Sequence, residues 1–362
     1  MNELPRIGIE QIGFYTTNKA FSLLELAQHT SRNNLGKYTI GLGQKYMSVI
    51  TPDEDIMSMA TKATQRFITD EDRRQIVAIF FATESAMDAS RSVAVDLHKS
   101  LGIQPNCLCL EFKQACFSGT GAINMAINHL KANFNNHPYQ KVLVIMADIA
   151  YYGADTPGEA TQGCGAIAML ISFNPKIAIF NNDGIILTEY HGDFCRPVHQ
   201  KLPIYDGHLS IKCYLSMFEK ALKQYRKNIA NNHDNNQEFD YFVSHLPFAR
   251  MLDKCCKFAG IDEKKNENIA TKKYPSVVGN IYTASLYLGL LSLLENSNID
   301  LSRKKIALFS YGSGSECELY SLTILPNYIN NLHKQEHENM LKNRKIINFT
   351  SYRNLLQHYK NR

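Results

Sequence analysis

The stretch KQACFSGTGAINMAINHL, Lys113 to Leu130, holds the change of pattern on which the fold reading turns. Ahead of it, Cys107 to Phe112 has the composition of a short strand. From Phe117 to Ala132 apolar residues recur at helical spacing. Cys116 therefore sits on the turn between a strand and the first turn of a helix. Backbone N–H groups and the positive end of the helix dipole are expected to favour a thiolate there. Ser118, Gly119 and Gly121 are small enough to let a ligand approach the main chain. No GK[ST] follows the Gly-Thr-Gly, and the segment is not a dinucleotide fingerprint. A buried structural cysteine would have the same composition; the turn is what recommends Cys116 as a nucleophile.

Working outward, short apolar runs alternate with helical patterns, the signature of an α/β layered fold. Ile76 to Thr83 predicts a buried strand, followed by a helix from about Asp88 to Leu101 that Gly102 stops. The polar stretch NFNNHPYQ leads to the apolar run Val142 to Ala147, and a glycine-rich loop precedes a strand over Ala166 to Phe173. The second half repeats this order loosely. Leu209 to Lys227 predicts a helix, and Asn228 to Gln237 is the most linker-like stretch of the chain. Tyr241 to His245 predicts a strand leading to a helix from about Phe248. Ile281 to Glu295 is apolar right round and predicts a buried helix. Lys305 to Ser310, the turn YGSGS and Cys317 to Leu325 then mirror the strand pair that closes the first half.

Three further places could carry chemistry. Glu84 follows a fully apolar strand, where a carboxylate either caps the next helix or acts as a desolvated base with raised pKa. Asp88 is the better cap, which leaves Glu84 to be explained. His245 ends another apolar strand, and Pro247 forces a turn behind it; a satisfied core histidine would look the same. Asn280, ahead of the buried helix, and Ser313, in the YGSGS turn, could aim donors at an oxyanion or serve as an ordinary cap and turn.

Composition excludes several classes. The chain has 362 residues, 44% hydrophobic and 20% charged, which rules out disorder, collagen and coiled coil. The net charge of +5 lies wholly in the last tenth: seven Lys or Arg against two acids from Asn327 onward, 32 against 32 before it. A neutral body is no reader of a phosphate backbone, so no nucleic-acid partner is expected. The nine cysteines form no CxxC and no zinc-type spacing, and read mostly as small buried residues of a reducing compartment. No basic-then-apolar leader opens the chain and no run reaches membrane-spanning length, so a cytoplasmic protein without a membrane partner is expected.

Taken together, IGIEQIGFY from Ile7, IGLGQKYMSV, ATESAMDAS, KQACFSGT, VLVIMAD, GEATQGCGAIAML, DFCRP, DGHLS, SHLPF, VGNIYTASLYLGLLSLLEN and FSYGSGS resemble the 3-hydroxy-3-methylglutaryl-CoA synthase family, especially its bacterial branch. The resemblance implies a thiolase-like αβαβα fold of two similar halves, residues 1–175 with Glu84 and Cys116 and residues 176–362 with His245 and a basic helical tail from about 327. It implies a homodimer. It further implies condensation of acetyl-CoA with acetoacetyl-CoA in the mevalonate pathway, with no metal and no cofactor beyond the acyl-CoA substrates. In that family Cys116 matches the acetylated nucleophile, Glu84 the general base, and His245 the histidine that polarises the second substrate. Thr161, Ser210, Lys254, Asn280 and Ser313 match acyl-CoA or product contacts, Tyr152 matches a pocket tyrosine, and Arg250 with Lys254 are the expected phosphate contacts.

Some positions depart from the family pattern. Arg250 stands where many members have lysine, Asp253 lies in a usually more basic stretch, Cys195 replaces an aromatic residue, and Asn34 stands where an acid is expected. The polyketide β-branching homologue, which acts on carrier-bound acyl groups, shares the KQAC-x-SGT spelling; GLGQKYMSV and ATESAMD favour the mevalonate type. A ketoacyl synthase would use a histidine pair or His/Asn pair instead of a glutamate base. An inactive scaffolding paralogue would have no need of Glu84, Cys116 and His245 together.

Overall fold

The computed structural model describes residues 6–30, 35–134, 138–231, 238–261 and 267–361. Its centre is a ten-stranded mixed sheet. In chain order the strands are β1 (Gly8–Tyr15), β2 (Ile76–Ala82), β3 (Leu108–Phe112), β4 (Lys141–Ala150), β5 (Gly163–Ser172), β6 (Ala178–Phe180), β7 (Ile185–Thr188), β8 (Tyr241–Ser244), β9 (Lys305–Gly312) and β10 (Glu316–Ile324). They lie side by side as β8-β9-β10-β6-β1-β5-β4-β2-β3, with β7 paired to β10. β3, β2 and β4 run parallel, β4–β5 and β5–β1 antiparallel. On the other side β8 and β9 are parallel, and β9–β10 is antiparallel. Little β6 pairs with β1 through Gly8 and Ile9 and with β10 through Leu322 to Ile324, joining the two sets.

Continuous apolar runs explain why β2, β4 and β5 are covered on both faces. The pleat sends alternate side chains to different layers. Phe80, Val142, Val144, Met146, Ile167 and Met169 pack in one core with helices α1 (Ser118–Asn133) and α2 (Ser285–Asn296). Their neighbours Ile79, Phe81, Leu143, Ile145 and Ala168 pack in a second core with the helices Ile56–Thr64 and Val93–Leu101. The first core also takes in Ile306, Leu308 and Leu322, so α1 and α2 lie between the two strand sets. Ala307, Phe309, Cys317 and Leu319 face α3 (Gly207–Asn231) and α4 (Met251–Ala259). Helix, sheet, helix, sheet, helix: this is the αβαβα order of the thiolase fold. The all-round apolar helix reading holds as well, since α2 is buried from Ser285 to Glu295 after a 3₁₀ turn at Tyr282–Ala284.

Four expectations are corrected. The helix after β2 begins at Val93, not Asp88. Its N-cap is Ser92, whose Oγ accepts from Ala94 N–H at 3.0 Å, and Glu111 Oε2 takes Val93 N–H at 3.0 Å. Asp88 instead accepts from Ser90 and Arg91 N–H and closes a turn. The linker-like stretch is helical to Asn231, because α3 continues its packing stripe through Tyr225; residues 232–237 lie outside the described residues, as does Asn34. The basic tail is not wholly helical. Between the helices Lys334–Lys342 and Phe349–Asn361, residues Lys345–Ile347 form a strand parallel to Lys19–Ser22.

The tail is fastened internally. Arg344 donates to Ser48 Oγ at 3.0 Å and Val277 O at 2.9 Å. His337 is fully buried between Phe14 N–H, which donates to its Nε2 at 3.1 Å, and Glu295 Oε1, 2.8 Å from its Nδ1. The backbone donor fixes the tautomer: Nε2 accepts, so Nδ1 carries the proton.

Candidate active site

Parallel pairing brings the C-terminal ends of β3, β2 and β4 to one edge, where ligand sites of α/β sheets gather. Glu84 follows β2, Cys116 follows β3, and Asp148 lies near the end of β4. The Cys116 thiol donates to Glu84 Oε1 across 2.8 Å. Ala115 holds the turn before it with φ +43°, a left-handed conformation uncommon for a side chain with Cβ. Ser118 ties that turn to the helix: its Oγ accepts Gln114 N–H at 2.6 Å and donates to Ala115 O at 2.7 Å.

Asp148 organises the base. Its Oδ1 accepts from Glu84 N–H at 2.7 Å and from the hydroxyls of Thr83 and Ser85, both at 2.9 Å. Its Oδ2 accepts from Thr283 N–H at 3.1 Å and Thr283 Oγ1 at 2.6 Å. Burial and then the Asp148 charge push the Glu84 carboxyl up to about 8, against the hydrogen bond from Cys116. Burial and then Glu84 push the Cys116 thiol far above its ordinary value. The thiolate expected at the helix N-terminus is thus corrected. Burial and then the neighbouring carboxyl outweigh the helix dipole, so the resting sulfur keeps its proton.

An aromatic wall stands beside this pair. Tyr152 lies 6.0 Å from Tyr282, 6.4 Å from Phe194 and 5.2 Å from Tyr205, centroid to centroid. Burial, with negative charge around Cys116 and Glu84, raises the Tyr152 phenol, which stays protonated. Tyr282 is buried with φ +43°. Gly158 is required here, since a Cβ would come 2.7 Å from the Tyr152 ring.

The other half contributes from the ends of β8 and β9. His245 is buried, with its N–H donating to Phe309 O at 2.8 Å and its carbonyl accepting from Tyr214 OH at 2.8 Å. Its ring makes no hydrogen bond to the described residues, and burial lowers its pKa to about 3, leaving a neutral imidazole. The β9–β10 turn carrying Ser313 packs against the cysteine turn: a Cβ on Gly312 would lie 2.7 Å from Gln114 O and from Phe117 N. Asp193 pins that turn by accepting Gly314 N–H at 3.2 Å, and its own carbonyl accepts from Ser210 Oγ at 3.3 Å. Asn280 N–H donates to Thr161 O at 2.9 Å, while Asn280 Oδ1 accepts from Tyr282 N–H and Ser285 Oγ. Arg250 and Lys254 stand apart at the start of α4. Arg250 pairs with Asp253 at 3.0 Å, and Lys254 Nζ lies 5.4 Å over the Phe248 ring. Asp253 is no surface anomaly, since it is buried and also held by Lys272 at 2.5 Å.

Sequence reading singled out neither Asp148, Asp193 nor Tyr282. The signal for Asp148 was a lone acid in the apolar strand KVLVIMADIA, and for Asp193 an acid heading DFCRP.

Comparison with known proteins agrees with this geometry. The model for the N-terminal part of hydroxymethylglutaryl-coenzyme A synthase matches residues 4–176, and that for the C-terminal part matches residues 188–268 and 258–362. The chain belongs to the hydroxymethylglutaryl-CoA synthase family. Hydroxymethylglutaryl-CoA synthase of Enterococcus faecalis is 36% identical over 96% of this chain and 90% of its own length. A crystal structure of HMG-CoA synthase complexed with CoA superposes with TM-score 0.89 at 36% identity, covering 96% of this chain and 89% of that one. The polyketide biosynthesis 3-hydroxy-3-methylglutaryl-ACP synthase of Bacillus subtilis is more distant, 29% identical over 87% of this chain and 79% of its length. The fold and the acyl-transferring activity expected from the sequence are those of this family. Among the described residues no helix is long and apolar enough to cross a membrane.

Proposed function

We propose that Cys116, Glu84 and His245 divide between them the steps by which this HMG-CoA synthase condenses acetyl-CoA with acetoacetyl-CoA. The observation that carries the assignment is the 2.8 Å Cys116–Glu84 hydrogen bond. Glu84 takes the thiol proton as sulfur attacks the acetyl-CoA carbonyl. The C–S bond to CoA breaks, and CoA leaves with a proton, giving acetyl-Cys116. Glu84 then removes a proton from the acetyl methyl, and the carbanion attacks C3 of acetoacetyl-CoA. His245, being neutral, polarises that ketone through an N–H hydrogen bond and stabilises the alkoxide, which takes up the proton that Glu84 removed. Water cleaves the Cys116 thioester to release 3-hydroxy-3-methylglutaryl-CoA and restore the thiol. Atoms and electrons balance without a metal or redox cofactor.

Tyr152 walls the acetyl pocket. Thr161, Ser210, Asn280 and Ser313 contact the acyl chain, and Arg250 and Lys254 take the CoA phosphates. The halves divide at 175/176, supported by family models that end at 176 and resume at 188. The mevalonate pathway, a cytoplasmic location and a homodimer belong to the same proposal. The dimer is supported by β3, an edge strand with Leu108 and Leu110 exposed on it. Brief exposure to acetyl-CoA should add one acetyl mass to the Cys116 peptide, and none in Cys116→Ser. Folded protein without the adduct would refute the assignment. Turnover that demands an acyl carrier protein and ignores free acetoacetyl-CoA would favour the polyketide type.

A further inference from the structure

The GLGQKY segment lies in the first half of the chain, yet beside its local bonds to Lys37, Tyr38 and Leu23 it makes four hydrogen bonds to the second half. Gln44 is 1% exposed. Its Oε1 accepts the Ala249 N–H at 3.0 Å, and its Nε2 donates to Pro275 O at 3.2 Å. The adjoining main chain repeats the bridge: Arg250 N–H donates to Leu42 O at 3.0 Å, and Lys45 N–H to Ser276 O at 2.8 Å. Gly43 allows the close approach, with φ +69° and a Cβ position 3.4 Å from both Ala249 Cβ and Arg250 N.

The two segments so joined are the ones that carry second-substrate groups. Residues 246–250 continue from His245 to the start of α4, and residues 275–279 lead to Asn280. Ala249 lies between a proline turn and the first residue of α4, so its N–H has no helical acceptor and depends on Gln44. A side chain offering one acceptor and one donor at that reach meets both needs; a carboxylate or an apolar isostere meets one or neither. No hydrogen bond joins residues 42–45 to Cys116, Glu84 or Asp148 among the described residues.

We propose that Gln44 is a positioning residue that sets the His245 loop in register with the Asn280 segment, and so serves condensation rather than acetylation. The inference rests on the role assigned to His245 above.

The test separates the half-reactions in Gln44→Met and Gln44→Glu, with His245→Ala as control. Acetyl-Cys116 formation is followed by mass spectrometry, CoA release against acetoacetyl-CoA by steady-state kinetics, and Ala249 amide exchange by peptide hydrogen exchange. Gln44→Met should acetylate within about 2-fold of the parent but raise KM for acetoacetyl-CoA about tenfold, the scale of one unmade buried hydrogen bond. Gln44→Glu, which keeps the acceptor for Ala249, should keep its amide protected and fall between the two. An unchanged KM, or equal slowing of both half-reactions, overturns the inference. Should Gln44→Met not fold, Gln44→Glu decides on the same KM and acetylation readouts. His245→Ala with intact condensation would instead remove the His245 assignment, leaving the exchange and KM results to be read on their own.

Discussion

Cys116 Sγ and Glu84 Oε1 stand 2.8 Å apart at the ends of two adjacent parallel strands, the thiol donating to that carboxyl oxygen. Neither group can ionise freely, because burial raises both and each charge opposes the other. A base that resists ionisation holds a removed proton well, which suits abstraction from a thioester methyl.

Glu84→Gln removes that base and the charge facing sulfur. CoA release should fall about 10²- to 10⁴-fold, the usual worth of a general base. The Cys116 thiol should become more acidic, so the midpoint of its iodoacetamide alkylation rate against pH moves down. A midpoint that moves up or stays put would contradict the pairing.

The pH–rate profile should follow the carboxyl of Glu84. With its pKa raised to about 8, the proton-accepting form is scarce at neutral pH. The condensation rate should therefore climb about tenfold per pH unit below that value and level off above it. Pre-acetylated enzyme isolates this limb from the thiol's own titration.

His245 titrates far below an ordinary imidazole, near 3, through burial. Between pH 6.5 and about 3 the unfolded chain takes up a proton that the folded one refuses, so folding stability falls as pH drops through that window. His245→Gln should lose stability less steeply over the upper part of it, measured by urea unfolding at pH 7 and about pH 5.

His337→Leu removes the partner of Glu295 Oε1 and of the Phe14 N–H in the core, while Tyr274 OH still donates to Glu295 Oε2 at 2.6 Å. Leaving a buried donor or acceptor unsatisfied costs about 1–3 kcal/mol. Urea unfolding should show that loss, while the rate of Cys116 acetylation in the surviving folded protein stays at the parent's value.

The strands and the buried helices were legible because their apolar runs have one meaning once both faces are covered. Cys116 and Glu84 were legible for a related reason: polar side chains just past apolar strands need an explanation. What sequence concealed was partnership across the chain. Asp88 has the chemistry of a cap, but Ser92 and the distant Glu111 decide where the helix begins. A dipole argument for Cys116 could not weigh a carboxylate 32 positions away. Asp148 looked like one acid in a strand until donors from two distant segments, residues 83–85 and 283, converged on it. Gln44 gave no chemical signal at all, because both its partners lie more than 200 residues on.

The small strand Lys345–Ile347 beside Lys19–Ser22 has a consequence for synthesis. Phe349 N–H also donates to Glu25 Oε1, at 2.6 Å. On the ribosome, where N-terminal segments emerge first, the strands that meet at Cys116 and Glu84 are complete while Lys19–Ser22 still lacks one of its two strand neighbours. During synthesis one edge of Lys19–Ser22 is closed early by Tyr46–Ser48, while the other waits more than 300 residues for Lys345–Ile347.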